Sequence, residues 1–184
     1  MRRLAGEWRG ARHNGAVKLF PERLDAATRQ RLADHVGGRP RVLAWGRAET
    51  GAVVALPDRL CVPGTNGGWD DVPWHDVLHG GWDDEGKALR WTRLSTSEQQ
   101  AVVLGEPGSL PEVFRERVEA TFLFSQVVHP RPGKAITITA RRNLADGDAR
   151  ILWTAHPARG VRMDAETLAF AEQELARLRA EYAF

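Results

Sequence analysis

A single cysteine, Cys61, excludes an internal disulfide and with it the cross-linked scaffolds of small secreted proteins. It lies in the apolar run Leu60-Cys61-Val62, where a small thiol is expected to pack as a buried hydrophobe. No window approaches the ~18 consecutive apolar residues of a membrane-spanning helix, so no transmembrane segment is expected. The first residues are positive but lack the apolar stretch of about 7–15 residues that a signal peptide needs, and a cytoplasmic location is expected. Neither a G-x-S-x-G elbow nor a glycine-rich phosphate loop ending in Lys-Ser/Thr occurs. The expectation is therefore a chain without catalytic residues, metal or cofactor. Lysine is also scarce: Lys18, Lys87 and Lys134 are the only ones, and the rest of the 26 basic residues are arginine. Such a bias reflects codon composition before chemistry, and alone it is weak support for nucleic-acid binding.

What is present is an ordinary globular composition, 42% apolar and 27% charged, with an uneven charge distribution. Residues 1–41 hold ten basic against four acidic side chains, and residues 42–109 hold five basic against ten acidic. A basic arm thus precedes an acidic module. Arg2, Arg3, Arg9 and Arg12, with Trp8 among them, are the residues of that arm able to reach phosphates.

Leu24, Ala27, Arg31, Leu32 and His35 or Val36 follow helical spacing and end at Gly37-Gly38, which predicts a short helix over 24–36. Short strands are then expected at 41–48, 52–57, 59–63, 72–82, 87–94 and 100–104, separated by turn residues. A helix beginning near Ser109 tolerates Pro111 in its first turn; its predicted buried stripe runs through Leu110, Phe114, Val118, Thr121 or Phe122, and Ser125. Strands at 134–142 and 149–157 and a helix over 164–182, capped by Asp164, complete the chain.

Within this run, VVALPDRLCVPG followed by DVPWHDVLHGGWDDEGKALRWTRL resembles bacterial pleckstrin-homology-like (PH-like, GRAM-like) sequences over about residues 41–128. The resemblance implies an α+β fold: a curled antiparallel β-barrel closed by a helix, carrying an N-terminal helix and a C-terminal β-β-α extension. The corresponding division is 1–38 as arm and helix, 39–129 as PH-like barrel plus helix, and 130–184 as hairpin plus helix packing on the barrel. Phosphoinositide binding is not expected, because the first inter-strand loop, residues 46–51, offers only Arg47, offset by Glu49.

The stretch WHDVLHGGWDD, residues 74–84, concentrates the polar side chains. His75, Asp76 and His79 define the alternative of a small metal-dependent hydrolase, but on one strand the two histidines would stand about 13 Å apart, too far for one ion. Gly80-Gly81 and residues 83–86 read as bend and hairpin, and Asp70-Asp71 as a solvated loop. Trp69 and Trp82, each followed by two aspartates, leave Trp69, Trp82, Asp83 and Asp84 as a contact edge. The expected function is a non-enzymatic interaction or scaffold module that binds a protein partner through a sheet edge or groove, with pairing of two copies through the last helix as a second mode. An RNA- or ribosome-associated factor using residues 1–15 is the alternative.

Overall fold

The computed structural model describes residues 23–145, 150–158 and 160–182. Among them are three helices, α1 (Ala26–Val36), α2 (Leu110–Thr121) and α3 (Ala165–Glu181), and ten strands in two antiparallel sheets, an α+β architecture. No helix among the described residues is long and apolar enough to cross a membrane. The Asp25 carboxylate accepts from the Thr28 amide at 2.9 Å to start α1, and Gly37 ends it in the left-handed region at φ 71°.

The first sheet contains β1 (Ala44–Ala48), β2 (Gly51–Ala55), β3 (Arg59–Pro63), β4 (Trp69–Pro73), β5 (Val77–Asp83), β6 (Ala88–Arg93) and β7 (Gln99–Glu106). Its order is β4-β3-β2-β1-β7-β6-β5, so β1 bonds both β2 and β7 and the meander curls into a half-barrel. Alternation along β2 explains its continuous apolar run: Val53 and Ala55 face the interior, while Ala52 and Val54 face α1. Leu110 and Phe114 of α2 enter the interior cluster, where Phe114 meets Trp74 edge-on at 5.7 Å and lies 6.4 Å from Trp91. Fully burying a side chain such as Phe114 contributes about 1.5–3 kcal/mol by transfer alone.

Three expectations are corrected. The single strand expected over 72–82 is two strands joined by one 3-10 turn, Trp74–Asp76. Trp74 forces that turn inward: it is fully buried and its Nε1–H donates to the Leu56 carbonyl at 2.9 Å. Gly80 is not a bend but lies within β5, where a Cβ would stand 2.6 Å from the Arg90 carbonyl oxygen and 2.8 Å from the Trp91 Cβ. The helix after Ser109 stops at Thr121, whose hydroxyl turns back to the Val118 carbonyl, and a strand, β8 (Phe122–Arg131), follows without a gap. The extension is therefore β-β-β-α, and a boundary at 129/130 falls inside β8.

β8 pairs with β9 (Lys134–Arg142), and β9 with β10 (Ile151–Pro157), making the second sheet. α3 covers it: Ala171 and Leu178 share a cluster with Val128, Ile136 and Ile138. Arg141 ties the two sheets together. Only 4% exposed, it donates to the Thr121 hydroxyl at 2.9 Å and to the Leu78 carbonyl of β5 at 3.0 Å.

His156 sits in the same region, and its buried Nε2 has no hydrogen-bond partner among the described residues. Burial first, and then the charge of Arg141, hold its imidazole below the ordinary value, with Asp76 opposing. The unfolded chain takes up this proton near pH ~6.5, before the folded protein does. The unfolded state then binds more protons, so this contribution to stability is complete above that pH and is lost as pH falls below it. Urea midpoints measured from pH 7 to 5 should therefore fall less steeply in His156→Gln than in the wild type; equal slopes would contradict the assignment.

Candidate functional site

Trp69 and Trp82 lie on β4 and β5, the two edge strands of the seven-stranded sheet. Both are partly buried, Trp69 against the cluster beneath α1 and Trp82 against the barrel interior. The Trp82 Nε1–H donates to Asp84 at 2.9 Å. Asp83 accepts from the amides of Glu85 and Gly86 and from Arg90 Nε at 2.9 Å. The Gly86 amide and then the Arg90 guanidinium hold its carboxyl below the usual range. These aspartates organise the β5–β6 hairpin, as residues 83–86 predict. Arg2, Arg3, Arg9 and Arg12 lie outside the described residues.

His75, Asp76 and His79 do not form a group of metal donors, and Asp76 and His79 have different partners. Asp76 accepts from Arg93 Nε at 2.7 Å and from the Ser95 amide at 2.8 Å, while His79 Nε2 lies 3.0 Å from the Thr92 hydroxyl. Among the described residues, one group of three His, Cys, Asp or Glu donors lies within 4.8 Å of one another, and it is elsewhere: His35, Cys61 and Asp71. Arg47, expected in the first inter-strand loop, lies within β1 and faces Glu106 at 3.6 Å.

The His35 group is built by register. Cys61 on β3 stands directly opposite Asp71 on β4, so both project from the same outer face of the sheet. The last turn of α1 brings His35 onto that face. Asp71 Oδ1 lies 2.9 Å from His35 Nε2 and 3.4 Å from Cys61 Sγ; Oδ2 accepts from Arg59 at 2.6 Å. Arg59 also grips Asp58 at 2.6 Å. Burial pushes the Asp71 carboxyl upward, but the hydrogen bonds from His35, Arg59 and Cys61 outweigh it and leave the group ionised below its usual range. Burial and the adjacent carboxylate push the Cys61 thiol far up, so it is no free nucleophile. Asp71 is thus not the solvated loop residue expected, because β4 starts at Trp69 and carries it under α1.

On another flank of α1 runs a groove of about 1300 Å³. It is lined by Ala26, Arg29 and Ala33 of α1, by Leu24, Val42 and Trp45, and by the end of β7 and the loop to α2, residues 105–109. Arg23, Arg29 and Arg39 line it against one acid, Glu106, which Arg47 engages. No contiguous motif announces this groove, since it assembles three separated segments. Comparisons with protein-family models, curated proteins and solved structures find no match to this chain.

Proposed function

We propose that the chain is an intracellular, non-enzymatic interaction module with a PH-like core, which holds an acidic, partly apolar segment of a protein partner in the groove beside α1. The groove carries the reading. Its volume exceeds the ~300–1,000 Å³ usual for small-molecule pockets, and it is open to solvent, which suits a peptide. Its apolar lining supplies burial, and three exposed arginines supply charge-assisted hydrogen bonds to carboxylates. The PH-like assignment draws support from the seven-strand meander, the junction of β1 with β7, and the amphipathic helix that follows β7 and inserts Phe114.

The reading predicts that Arg29→Glu/Arg39→Glu lowers recovery of a specific protein partner at least tenfold in affinity purification from the native host, with the fold intact by circular dichroism. A parallel deletion of residues 1–15 should leave that partner bound. Unchanged recovery in the charge-reversal variant would contradict the groove. Retention of nucleic acid alone, lost on deleting the arm and released by salt, would replace the proposal with the RNA-associated alternative.

A further inference from the structure

The geometry points to a divalent transition-metal site, matched to zinc, formed by His35 Nε2, Cys61 Sγ and Asp71 Oδ1 with one solvent position. The three donors come from α1, β3 and β4, and their chemistry is an imidazole nitrogen, a thiolate sulfur and a carboxylate oxygen, the mixed set that zinc takes. Their spacing fits. A tetrahedral zinc ion with bonds of about 2.0–2.3 Å holds its donors roughly 3.3–3.6 Å apart. Here the oxygen lies 2.9 Å from the nitrogen and 3.4 Å from the sulfur, and all three fall within 4.8 Å of one another. Seating the ion spreads the nitrogen and oxygen by roughly 0.4 Å and brings the nitrogen and sulfur, now within 4.8 Å of each other, to about 3.6 Å.

The surroundings also match a metal's outer shell. Asp71 Oδ2 is held by Arg59 at 2.6 Å, and Arg59 is itself held by Asp58 at 2.6 Å. This chain fixes the carboxylate so that Oδ1 alone faces the histidine and the thiol, the role that second-shell partners play for ligating carboxylates. One side of the group is apolar, because Cys61 is fully buried among Val54, Leu56 and Leu32. The other side is open, with the His35 and Asp71 side chains each 28% exposed, so the ion has an entry path and room for a water ligand.

Binding balances simply. The Cys61 thiol releases its proton to solvent as the sulfur coordinates, and the His35 ring proton moves to Nδ1 as Nε2 coordinates. Asp71 Oδ1 exchanges its hydrogen bonds from those two groups for one bond to the ion. Such a site would pin the end of α1 to the β3–β4 edge. None of its ligands lines the groove, so this inference and the groove proposal stand or fall separately.

The test is a cobalt titration of the full chain after treatment with a chelator and removal of any affinity tag. Tetrahedral cobalt bound to a thiolate gives a sulfur-to-metal charge-transfer band and intense visible bands. Cys61 is the one cysteine, so that charge-transfer band can arise only there. The expected result is saturation at one cobalt per chain, displacement by one equivalent of zinc, and loss of the band in Cys61→Ala. Cobalt affinity should fall at least tenfold in His35→Ala. In Arg59→Met, which removes only the outer shell, it should fall roughly ten- to a hundredfold. A folded wild-type chain that develops no charge-transfer band would overturn the proposal. So would a band that persists with unchanged affinity in His35→Ala, since that marks a lone-thiol adduct. Because the first outcome needs only the wild type, a variant that fails to fold cannot rescue the idea.

Discussion

Phe114→Ala is expected to lower the unfolding free energy by about 3–5 kcal/mol, enough to consume much of a small domain's stability. Phe114 is fully buried, and it is the side chain through which α2 reaches the barrel interior. Truncation removes its edge contact with Trp74 and its tilted contact with Trp91, at 5.7 and 6.4 Å between ring centroids. Trp74 cannot relax into the space, because its indole is held to the Leu56 carbonyl and its backbone forms the turn between β4 and β5. Equilibrium urea unfolding followed by tryptophan fluorescence measures the loss. A cost below about 1 kcal/mol, the range of an exposed position, would mean that α2 does not pack into the sheet.

Gly80→Ala is the second large effect and has the opposite cause, too much volume rather than too little. The added methyl would stand 2.6 Å from the Arg90 carbonyl oxygen, 2.8 Å from the Trp91 Cβ and 3.0 Å from the Phe114 ring. Two of these neighbours belong to the facing strand β6 and cannot rotate away, so an overpacking cost of about 2–3 kcal/mol is expected. The ring edge is shared with the first variant. Combining Gly80→Ala with Phe114→Ala should therefore cost less than the sum of the two, with a coupling of at least ~0.5 kcal/mol. Strict additivity would show that the glycine and the ring do not meet.

Much of the framework was legible because it depends on local patterning. The Gly37 stop of α1, the Asp164 cap of α3 and the short strands between turn residues all follow from neighbours in sequence. β8 was obscured because Phe122 and Ser125 continue the helical spacing of Leu110, Phe114 and Val118; the aromatic and β-branched content of residues 122–128 was the contrary signal. Gly80 read as a bend because nothing local reveals that α2 and β6 press against it.

The candidate sites were less legible, for a related reason. His35 at the end of the first helix and Cys61 as a buried hydrophobe were both read correctly from local sequence, whereas Asp71 was read as part of a loop and lies on β4. Their meeting depends on the β3–β4 register, which sets Cys61 opposite Asp71, and on the direction in which α1 crosses that face. The groove depends on residues 23–45 meeting residues 105–109, which lie some way along the chain. Within the concentrated stretch WHDVLHGGWDD, Trp74 anchors the turn, Asp76 holds Arg93, and Asp83 orders a hairpin.

The groove is tested most directly by a photo-crosslinking residue introduced at Ala33, where α1 lines it, and separately at Val127, exposed on β8 in the second sheet. Irradiation in the native host should join Ala33 to a defined protein partner through an acidic segment, with no such product from Val127 and none from Ala33 in the Arg29→Glu/Arg39→Glu background. Absence of a protein adduct at Ala33, or the same adducts at both positions, would contradict the account.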